Sequence, residues 1–435
     1  MPHTLKEVLP VTAGVNAKDH LEIGGCDATD LAAEFGTPLF VLCEETFRNK
    51  AREFSKAFPD SRVYYAAKAF CSLAICRMAE EEGLGIDVAS GGELNTALAA
   101  GFPPERLILH GNNKQDSDVS RAVEAGVGRI AIDNLEEIER VAQAAERSGR
   151  VQPVVLRVTP GVEAHTHHYV QTGQEDSKFG IALDGGIAAE AVRRASLSSS
   201  LELLGVHAHI GSNIFSFDPY AKTIEILFEF LTRTEREDGV VLKEVNLGGG
   251  FGVPYVSGDY PARLDIVATQ VRETAEKEAA RLGIEVPSLS FEPGRFLIAN
   301  AMVTLYSVGV IKEVPGVRTY VSVDGGMSDN IRPALYQARY AALLANKARH
   351  EATNVVTVAG LHCESGDILL RDVALPASIE RGDVMAVPAT GAYGYSMASN
   401  YNMQPRPSVV SVKDGSARII VRRETHEDLI RLHER

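Results

Sequence analysis

The sequence predicts an α/β protein in two parts: a (β/α)₈ barrel of the TIM type and a second, mostly antiparallel β domain. Two observations carry this prediction. From residue 63 onward, eight short β-like runs alternate with amphipathic helical patterns over about 235 residues, which matches such a barrel in number and length. After Arg295 the alternation stops, and strand patterns follow one another with turns between them.

The barrel is predicted from its β-runs and from the helical patterns between them. The runs lie at 63–68, 85–90, 106–111, 129–134, 154–160, 203–212, 244–250 and 288–295. The helical patterns include 93–100, 135–147, 187–195, 220–236 and 263–282. A doubly wound open sheet is the alternative, but it would not need eight evenly placed units, and no Gly-x-Gly-x-x-Gly follows the first run. We therefore assign residues 44–298 to the barrel.

The C-terminal part is predicted to be a β domain. Its strand patterns lie at 303–313, 319–324, 355–362, 368–374, 383–388 and 409–421, and a helical pattern stands around 333–348. Two β-like pieces near the start, residues 21–23 and 39–42, do not belong to the barrel repeat. We expect them to pack into the second domain, which then comprises residues 1–43 and 299–435.

Composition and charge argue against several classes of partner. The net charge of −14 disfavours nucleic acid and anionic membrane surfaces. The first residues contain no apolar core of a signal peptide, and no apolar run reaches the roughly 18 residues of a membrane span. The five cysteines are scattered and odd in number, which indicates a reducing cytoplasm rather than a disulfide scaffold.

The first barrel run ends on a lysine, Lys68. Apolar residues lie on both sides of it, and the alanines just before it leave room for a bulky group. The C-terminal ends of barrel strands line the mouth where the chemistry of this fold takes place. Partial burial there would lower the pKa of the amine and make it nucleophilic, as a Schiff-base lysine must be. Taken alone, a strand lysine is more often a solvated edge residue. Whether Lys68 is catalytic therefore has to be judged from the residues at the other strand ends.

A glycine-rich segment, Leu-Gly-Gly-Gly-Phe-Gly at 247–252, follows the seventh run. Closely spaced glycines let the backbone approach a ligand and aim N–H groups at an anion. A plain glycine turn is the alternative. Because barrels commonly bind phosphate at the loops after strands seven and eight, the position of this segment favours a phosphate site.

The eighth run is followed by Glu292-Pro293-Gly294-Arg295. The acid and the base could form a simple ion pair. Beside a lysine and a phosphate site, Glu292 could instead hold a pyridine nitrogen protonated, because a nearby anion favours the cationic form. A protonated pyridinium is what makes pyridoxal phosphate an electron sink. These strand ends therefore favour that cofactor.

The sixth run ends in His207-Ala-His209-Ile-Gly-Ser212, and strand alternation would place both histidines on one face. A zinc site would need a third ligand, and none is spaced nearby. His209 is therefore expected to stack on the cofactor ring, with Ser212 near its phosphate. The run at 165–168 contains three histidines but no carboxylate or cysteine in ligand register, so a polar loop is expected there. No metal site is predicted.

Cys363 follows a strand pattern of the second domain, in the segment Cys-Glu-Ser-Gly-Asp at 363–367. A single cysteine beside acidic residues is more often structural than catalytic. Its thiol would be hard to ionise next to carboxylates, so a proton-donating thiol suits it better than a nucleophilic thiolate.

Six segments in this order resemble the fold-type III pyridoxal-phosphate decarboxylases, which include ornithine, arginine and diaminopimelate decarboxylases. The segments are Tyr-Ala-Ala-Lys at 65–68, His-Ile-Gly-Ser at 209–212, Gly-Gly-Gly at 248–250, Glu-Pro-Gly-Arg at 292–295, 363–367 and Gly-Ala-Tyr at 391–393. Segments 161–167, 176–180, 329–336 and 401–402 are most similar to the diaminopimelate branch. The resemblance covers nearly the whole chain, and no motif position departs from it.

The resemblance implies a role for each site residue. Lys68 would form the Schiff base with pyridoxal 5'-phosphate, Glu292 would pair with the pyridine nitrogen, and His209 would stack on the ring. The other cofactor contacts would be Ser212, Gly249, Gly250, Pro293, Gly294, Arg295 and Tyr393. The substrate would be bound by Arg295, Arg332, Tyr336, Glu364 and Tyr393. Cys363 would be the catalytic proton donor, and it would reach, with Glu364, the active site of the partner subunit in a homodimer.

The implied reaction is the decarboxylation of meso-2,6-diaminopimelate to L-lysine, the last step of lysine biosynthesis by the diaminopimelate pathway. The distal end of that substrate needs a cation for its carboxylate and an anion for its ammonium group, and Arg332 and Glu364 suit this pair. A decarboxylase for ornithine, arginine or a carrier-bound amino acid is the alternative, although ornithine-type enzymes have Asp in place of Glu364. A racemase would have Arg in place of Glu292, and a non-enzymatic relative should have lost Lys68 or Cys363.

Overall fold

The structure is a computed structural model, and it describes residues 5–162 and 177–434. It divides into two compact units. The barrel unit consists of residues 51–252 and 261–296, and the β unit consists of residues up to 50, 253–260 and 297 onward. The segment 253–260, which the predicted barrel domain includes, thus lies in the β unit, where the Asn300 side chain donates a hydrogen bond to the Pro254 carbonyl at 3.0 Å.

Strands and helices largely alternate up to residue 298, and strands predominate after it. The strands are β1 (Gly14–Val15), β2 (Leu21–Ile23), β3 (Cys26–Asp27), β4 (Leu39–Cys43), β5 (Arg62–Ala66), β6 (Gly85–Val88), β7 (Leu107–Leu109), β8 (Arg129–Ile132), β9 (Gln152–Thr159), β10 (Ile181–Ala182), β11 (Leu201–His207), β12 (Glu244–Asn246), β13 (Ser288–Phe291), β14 (Met302–Val314), β15 (Arg318–Val323), β16 (Leu343–Leu344), β17 (Ala352–Ala359), β18 (Ile368–Pro376), β19 (Val384–Pro388), β20 (Ser408–Lys413) and β21 (Ser416–Val421). The α-helices are α1 (Ala28–Phe35), α2 (Glu44–Ala57), α3 (Leu73–Glu81), α4 (Gly91–Ala99), α5 (Asp116–Ala125), α6 (Leu135–Arg147), α7 (Ile187–Leu197), α8 (Asp218–Asp238), α9 (Leu264–Leu282), α10 (Arg295–Ile298), α11 (Arg332–Tyr336) and α12 (His426–Ile430).

The barrel unit contains a closed, parallel, eight-stranded barrel. Its strands follow in the order β5-β6-β7-β8-β9-β11-β12-β13, and β13 pairs with β5 to close the ring. Each strand falls within one of the eight predicted runs or overlaps it, so the predicted barrel is confirmed. The strands are buried on both faces, as in β5, where every residue after Arg62 is buried. The short strand β10 adds to β9 outside the barrel.

Capping residues mark where the helices between the barrel strands begin and end. The predicted helix at 135–147 is α6, and the Asn134 side chain caps its first turn by accepting a hydrogen bond from the Glu137 N–H at 3.0 Å. The two longest helices, α8 and α9, each end at a glycine in the left-handed conformation, Gly239 and Gly283. Among the described residues, no helix combines the length and apolar character that crossing a membrane requires.

The β unit is built on a nine-stranded sheet. Its main path runs β18-β17-β15-β14-β4-β20-β21, and β19 joins it through β14 and carries β16. Strand β4, from the N-terminal part of the chain, pairs antiparallel with β14 and parallel with β20, so it lies inside the sheet. Strand β2 instead belongs to a separate three-stranded sheet with β1 and β3, and its Leu21 and Ile23 pack into the core that also contains Leu39 and Val303.

Two predictions in the β unit were wrong. The run at 409–421 is not one strand but the hairpin β20–β21, because Asp414 and Gly415 both adopt positive φ and form a tight turn. The helical pattern at 333–348 yields only the short helix α11, which ends where Gln337 takes a left-handed conformation. The apolar residues that suggested a longer helix instead form the short strand β16 paired with β19, an outcome of tertiary pairing.

Candidate active site

Lys68 lies just beyond the first barrel strand, in a 3₁₀ turn at Ala67–Ala69. It is exposed and not partly buried as expected, whereas the alanines on either side of it in the turn are buried. The Tyr65 hydroxyl donates a hydrogen bond to the Phe70 carbonyl at 2.7 Å, which bridges the turn on either side of Lys68. The turn therefore holds the amine at the end of β5.

The glycine-rich segment after β12 packs against the backbone of the neighbouring loops. A Cβ atom on Gly249 would lie 2.3 Å from the Glu292 carbonyl oxygen, and one on Gly250 would lie 2.6 Å from the Gly211 carbonyl oxygen. Gly250 also has a φ of 100°, a conformation that favours glycine. The Gly249 N–H donates to Nδ1 of His209 at 3.2 Å. No side chain fits at these positions of the glycine cradle, residues 248–250, because neighbouring loops lie against their backbone.

His209 lies beyond the end of β11, so the strand alternation that would pair it with His207 does not extend that far. Burial lowers the pKa of His209 well below its usual value, and the positive charge of Lys68 lowers it further. The imidazole is therefore neutral at pH 7, with Nδ1 as the acceptor for Gly249. This effect also shows that Lys68 and His209 lie within electrostatic reach of each other.

The loop after β13 packs against the Lys68 turn. A Cβ atom on Gly294 would lie 3.0 Å from the Cβ of Ala66, and the Ala66 N–H donates to the Pro293 carbonyl at 3.4 Å. Arg295 is buried at the first position of α10, and its Nη2 donates to Oγ of Ser212 at 2.8 Å. The loops after β5, β11, β12 and β13 thus bring together nine of the predicted site residues, namely Lys68, His209, Ser212, Gly249, Gly250, Glu292, Pro293, Gly294 and Arg295.

The Glu292 carboxylate is 6% exposed and accepts three side-chain hydrogen bonds. His110 Nε2 lies 2.8 Å from Oε1, Asn246 Nδ2 lies 2.7 Å from the same oxygen, and His207 Nε2 lies 3.0 Å from Oε2. Burial alone would raise the pKa of Glu292, but the two histidines lower it well below its usual value. The carboxylate is therefore an anion fixed in orientation.

Sequence reasoning missed most of this polar layer inside the barrel. Asp87 lies 4.0 Å from His110, and burial raises the pKa of its carboxyl group. Arg157 lies 3.7 Å from Asp133, and its guanidinium stands over the Phe179 ring at 4.4 Å. These residues share one sequence pattern: a polar side chain stands at or near the end of an apolar barrel strand, and the same pattern recurs on several strands. This pattern could have predicted them.

The trio His110, His207 and Glu292 has the composition of a metal site. The sequence offered no third partner for His207, whereas barrel closure supplies two. Ligand atoms that share a zinc ion at about 2 Å in tetrahedral geometry stand more than about 3 Å apart. The observed nitrogen-to-oxygen separations of 2.8 and 3.0 Å are those of direct hydrogen bonds. We therefore describe the trio as a hydrogen-bonded network.

Arg332 is the most deeply enclosed of the predicted substrate residues of the β unit. Its guanidinium lies 4.8 Å from the Tyr255 ring centroid and 5.5 Å from that of Tyr340, and it donates a hydrogen bond to the Tyr340 hydroxyl. Among the described residues, no carboxylate lies within ion-pair distance of it. Tyr336, on the same helix, and Tyr393 are both half-buried.

Cys363 and Glu364 lie on an exposed loop of the β unit. Two hydrogen bonds hold the base of this loop: the side chain of the exposed Asn402 accepts one from the Cys363 N–H at 3.2 Å, and the buried Asp367 accepts one from the buried His362 N–H at 2.8 Å. The loop is thus anchored from within and presents both side chains to the exterior. The predicted polar loop with His165, His167 and His168 lies outside the described residues.

Comparison with known proteins assigns the chain to a family. A family model described as "Pyridoxal-dependent decarboxylase, pyridoxal binding domain" matches residues 44–299. The chain belongs to this family of pyridoxal-dependent decarboxylases. Its cofactor is accordingly pyridoxal 5'-phosphate, as the sequence predicted.

Several relatives that are similar over nearly the full length are named diaminopimelate decarboxylase. The chain is 48% identical over 425 residues to "Diaminopimelate decarboxylase" of Bacillus subtilis, with 97% of each chain covered. A crystal structure of diaminopimelate decarboxylase from M. jannaschii superimposes with a TM-score of 0.91 at 34% identity and covers 98% of each chain. A second structure of that enzyme, in complex with L-lysine, gives a TM-score of 0.90 at 35% identity with 96% of each chain covered. These similarities confirm the predicted barrel and β domain.

Proposed function

We propose that the chain is a diaminopimelate decarboxylase, which removes carbon dioxide from meso-2,6-diaminopimelate and releases L-lysine, the last step of lysine biosynthesis by that pathway. The observation that carries the proposal is the 48% identity over 97% of the chain to a protein of that name. The solved relative in complex with L-lysine supports the same amino-acid chemistry.

The barrel loops fit pyridoxal 5'-phosphate. The glycines at 248–250 pack closely on the backbone of neighbouring loops and carry no side chain, and Ser212 and Arg295 stand together as polar groups for a phosphate. We assign phosphate binding to these residues with Pro293, Gly294 and Tyr393. When bound, the protonated cofactor ring accepts the electron pair that carbon dioxide leaves on the substrate carbon.

Three barrel residues serve the reactive part of the cofactor. Lys68 would supply the nucleophilic amine that holds the cofactor covalently. Glu292 is an anion beneath the barrel mouth and favours the protonated pyridine nitrogen. The neutral imidazole of His209, held by the Gly249 N–H, can stack on the ring without adding positive charge.

The distal end of the substrate is assigned to residues of the β unit. Arg332 is a buried guanidinium between tyrosine rings with no carboxylate in ion-pair distance among the described residues, so a substrate carboxylate would complete its charge balance. Glu364 is the exposed anion for the distal ammonium group. The family resemblance adds Tyr336 and Tyr393 of the β unit, and Arg295 of the barrel unit, as further substrate-binding residues. A substrate without a distal carboxylate, such as ornithine, would leave Arg332 unmatched.

Cys363 is assigned as the proton donor. Its loop presents the thiol to the exterior, which suits a group that acts in the site of another chain. We propose a homodimer in which Cys363 and Glu364 complete the active site of the partner subunit. We also place the enzyme in the cytoplasm, because all five cysteines are free thiols.

Product analysis tests this function. The purified protein, loaded with pyridoxal phosphate, is incubated in parallel with meso-diaminopimelate, L-ornithine and L-arginine. We expect L-lysine and carbon dioxide in equal amounts from diaminopimelate, and neither putrescine nor agmatine from the other two. Lys68→Ala serves as the inactive control. Faster turnover of ornithine or arginine would replace the proposal with the alternative substrate class.

A further inference from the structure

The hydrogen bonds to Glu292 come from three different barrel strands or strand ends. His110 follows β7, His207 ends β11, and Asn246 ends β12. The two histidines bind opposite oxygens of the carboxylate, His110 at Oε1 and His207 at Oε2. Their rings lie with centroids 4.6 Å apart at an angle of 58°. Both oxygens of the Glu292 carboxylate are therefore held by hydrogen bonds, which fixes the orientation of the group.

The hydrogen-bond pattern defines the tautomer of His207. Its Nδ1 atom is buried and has no hydrogen-bond partner among the described residues. A proton on Nδ1 would be a buried donor without an acceptor, which is costly, so the proton resides on Nε2 and points at Glu292. Burial also lowers the pKa of His207 to about 4, which agrees with a neutral ring. His207 is thus a neutral donor that adds no net charge to the site.

His110 stands between two carboxylates. Its Nε2 is 2.8 Å from Glu292 and 4.0 Å from Asp87, and both acids are buried. The shorter contact makes Glu292 the acceptor of the Nε2 proton. Other charged groups that act electrostatically on this layer are Lys68 and Arg157. The donors on Glu292 are therefore placed among charges of both signs.

We propose that His110 and His207 are positioning residues of the decarboxylase: by donating from Nε2 to opposite oxygens of Glu292, they keep this buried carboxylate ionised and oriented for the pyridine nitrogen of the cofactor. This inference rests on the proposed function of the site. A carboxylate offers about four acceptor positions, and His110, Asn246 and His207 occupy three. One acceptor position remains for the pyridine nitrogen.

The physical reason is the cost of a buried anion. A carboxylate without donors in an apolar interior takes up a proton instead of remaining charged. A protonated Glu292 would no longer favour a proton on the pyridine nitrogen, and the ring would withdraw electrons less strongly. The histidines thus act through Glu292 and not on the substrate.

The test compares substitutions of His110 and His207 that keep a hydrogen-bond donor with substitutions that remove it. His207→Gln and His110→Gln retain a side-chain N–H, whereas His207→Leu and His110→Leu remove it at similar volume. We expect kcat to fall about ten- to a hundredfold in the leucine variants, since one hydrogen bond to a charged group is lost, and to recover largely in the glutamine variants. KM should change less than kcat, because the residues do not touch the substrate.

Two spectroscopic readouts separate positioning from a structural defect. Nitrogen-15 NMR of bound, ¹⁵N-labelled pyridoxal phosphate reports the proton on its ring nitrogen without substrate. It should show that proton in the wild type and in the glutamine variants, and its loss in the leucine variants. Infrared spectra of the apoprotein should show a protonated carboxyl band in His207→Leu that disappears in the His207→Leu/Glu292→Gln double variant. The His110 pair provides the same comparison if His207→Leu does not fold.

The possible outcomes distinguish this inference from the function on which it rests. If Glu292 stays ionised and the ring nitrogen stays protonated in the folded leucine variants, the inference is overturned even when the wild type makes lysine. If Glu292 is protonated in the apoprotein of the leucine variants but the wild type makes no lysine, the positioning role of the two histidines is supported and the proposed substrate is wrong.

Discussion

Oδ2 of Asp367 accepts a hydrogen bond from the backbone N–H of His362 at 2.8 Å, one residue before Cys363. Oδ1 of the same carboxylate accepts another from the Met327 N–H at 2.6 Å. Asp367 is 3% exposed, and a Cβ atom on Gly360 would lie 2.1 Å from its Oδ2. This single carboxylate therefore ties the exposed Cys363 loop to the neighbouring loop at Met327.

Asp367→Ala should lower kcat for meso-diaminopimelate with little change in cofactor occupancy. Each buried N–H that loses its acceptor costs about 1–3 kcal/mol, so the loop should leave its present position and carry Cys363 with it. Asp367→Asn, which retains one acceptor oxygen, should be intermediate. The measurements are steady-state kinetics and the absorbance of the bound cofactor. Glu351→Ala, an exposed acid of the same unit, is the matched control. A wild-type kcat in Asp367→Ala would contradict the anchoring role.

Lys68 should carry the cofactor covalently. Borohydride reduction of the loaded wild type should attach the pyridoxyl group to the peptide that contains Lys68, because reduction converts a Schiff base to a stable amine. Mass spectrometry of the digested protein checks the position. Lys56→Ala, a change of an exposed lysine on α2, should label like the wild type. A reducible adduct of equal yield in Lys68→Ala would move the Schiff base to another residue.

Subunit mixing should reveal shared active sites. Lys68 belongs to the barrel unit and Cys363 to the β unit. Lys68→Ala and Cys363→Ala should each be nearly inactive alone. With random exchange, half of the dimers contain one chain of each kind, and one of their two sites has both residues intact, so about a quarter of wild-type activity should return. Fluorescence energy transfer between labelled chains verifies exchange. A mixture that exchanges but stays inactive would exclude the shared site.

The titration of Asp329 should contribute to the pH dependence of the free energy of unfolding. Burial raises the pKa of Asp329 to about 7, and the nearby carboxylates of Asp367 and Asp324 also raise it. Hydrogen bonds from Tyr306 and Gly326 act in the opposite direction and lower this pKa. In the unfolded chain an aspartate titrates near 4. Between these values the folded state binds a proton that the unfolded state does not, so the free energy of unfolding falls as pH rises through this window.

Asp329→Asn should remove this part of the pH dependence, because asparagine resembles the protonated acid. Relative to the variant, the wild type should lose up to about 1.4 kcal/mol of unfolding free energy per pH unit between roughly pH 4 and 7. Denaturant or thermal unfolding across that range measures the difference, with Glu351→Gln as the control. Parallel curves for Asp329→Asn and the wild type would show that the carboxyl group does not titrate there.

The sequence by itself determined the eight barrel strands, the β-rich second unit and the residues at the strand ends. These features are local: a buried strand is a short apolar run, a tight approach needs glycine, and a strand end is marked by the polar residue that follows it. Lys68, the glycine cradle, Glu292 and Arg295 could therefore be named before their neighbours were known. The family resemblance then supplied a cofactor that the comparisons confirm.

Only the tertiary structure decided which of these groups touch. His110 and Glu292 are 182 residues apart in sequence, and His207 and Glu292 are 85 apart. Their contacts follow from the register of parallel strands and from the closure of β13 on β5, which no local pattern encodes. The same reason explains the central place of β4 between β14 and β20 and the short strand at Leu343–Leu344 inside a helical pattern. Long-range pairing and burial outweigh local propensity where the two disagree.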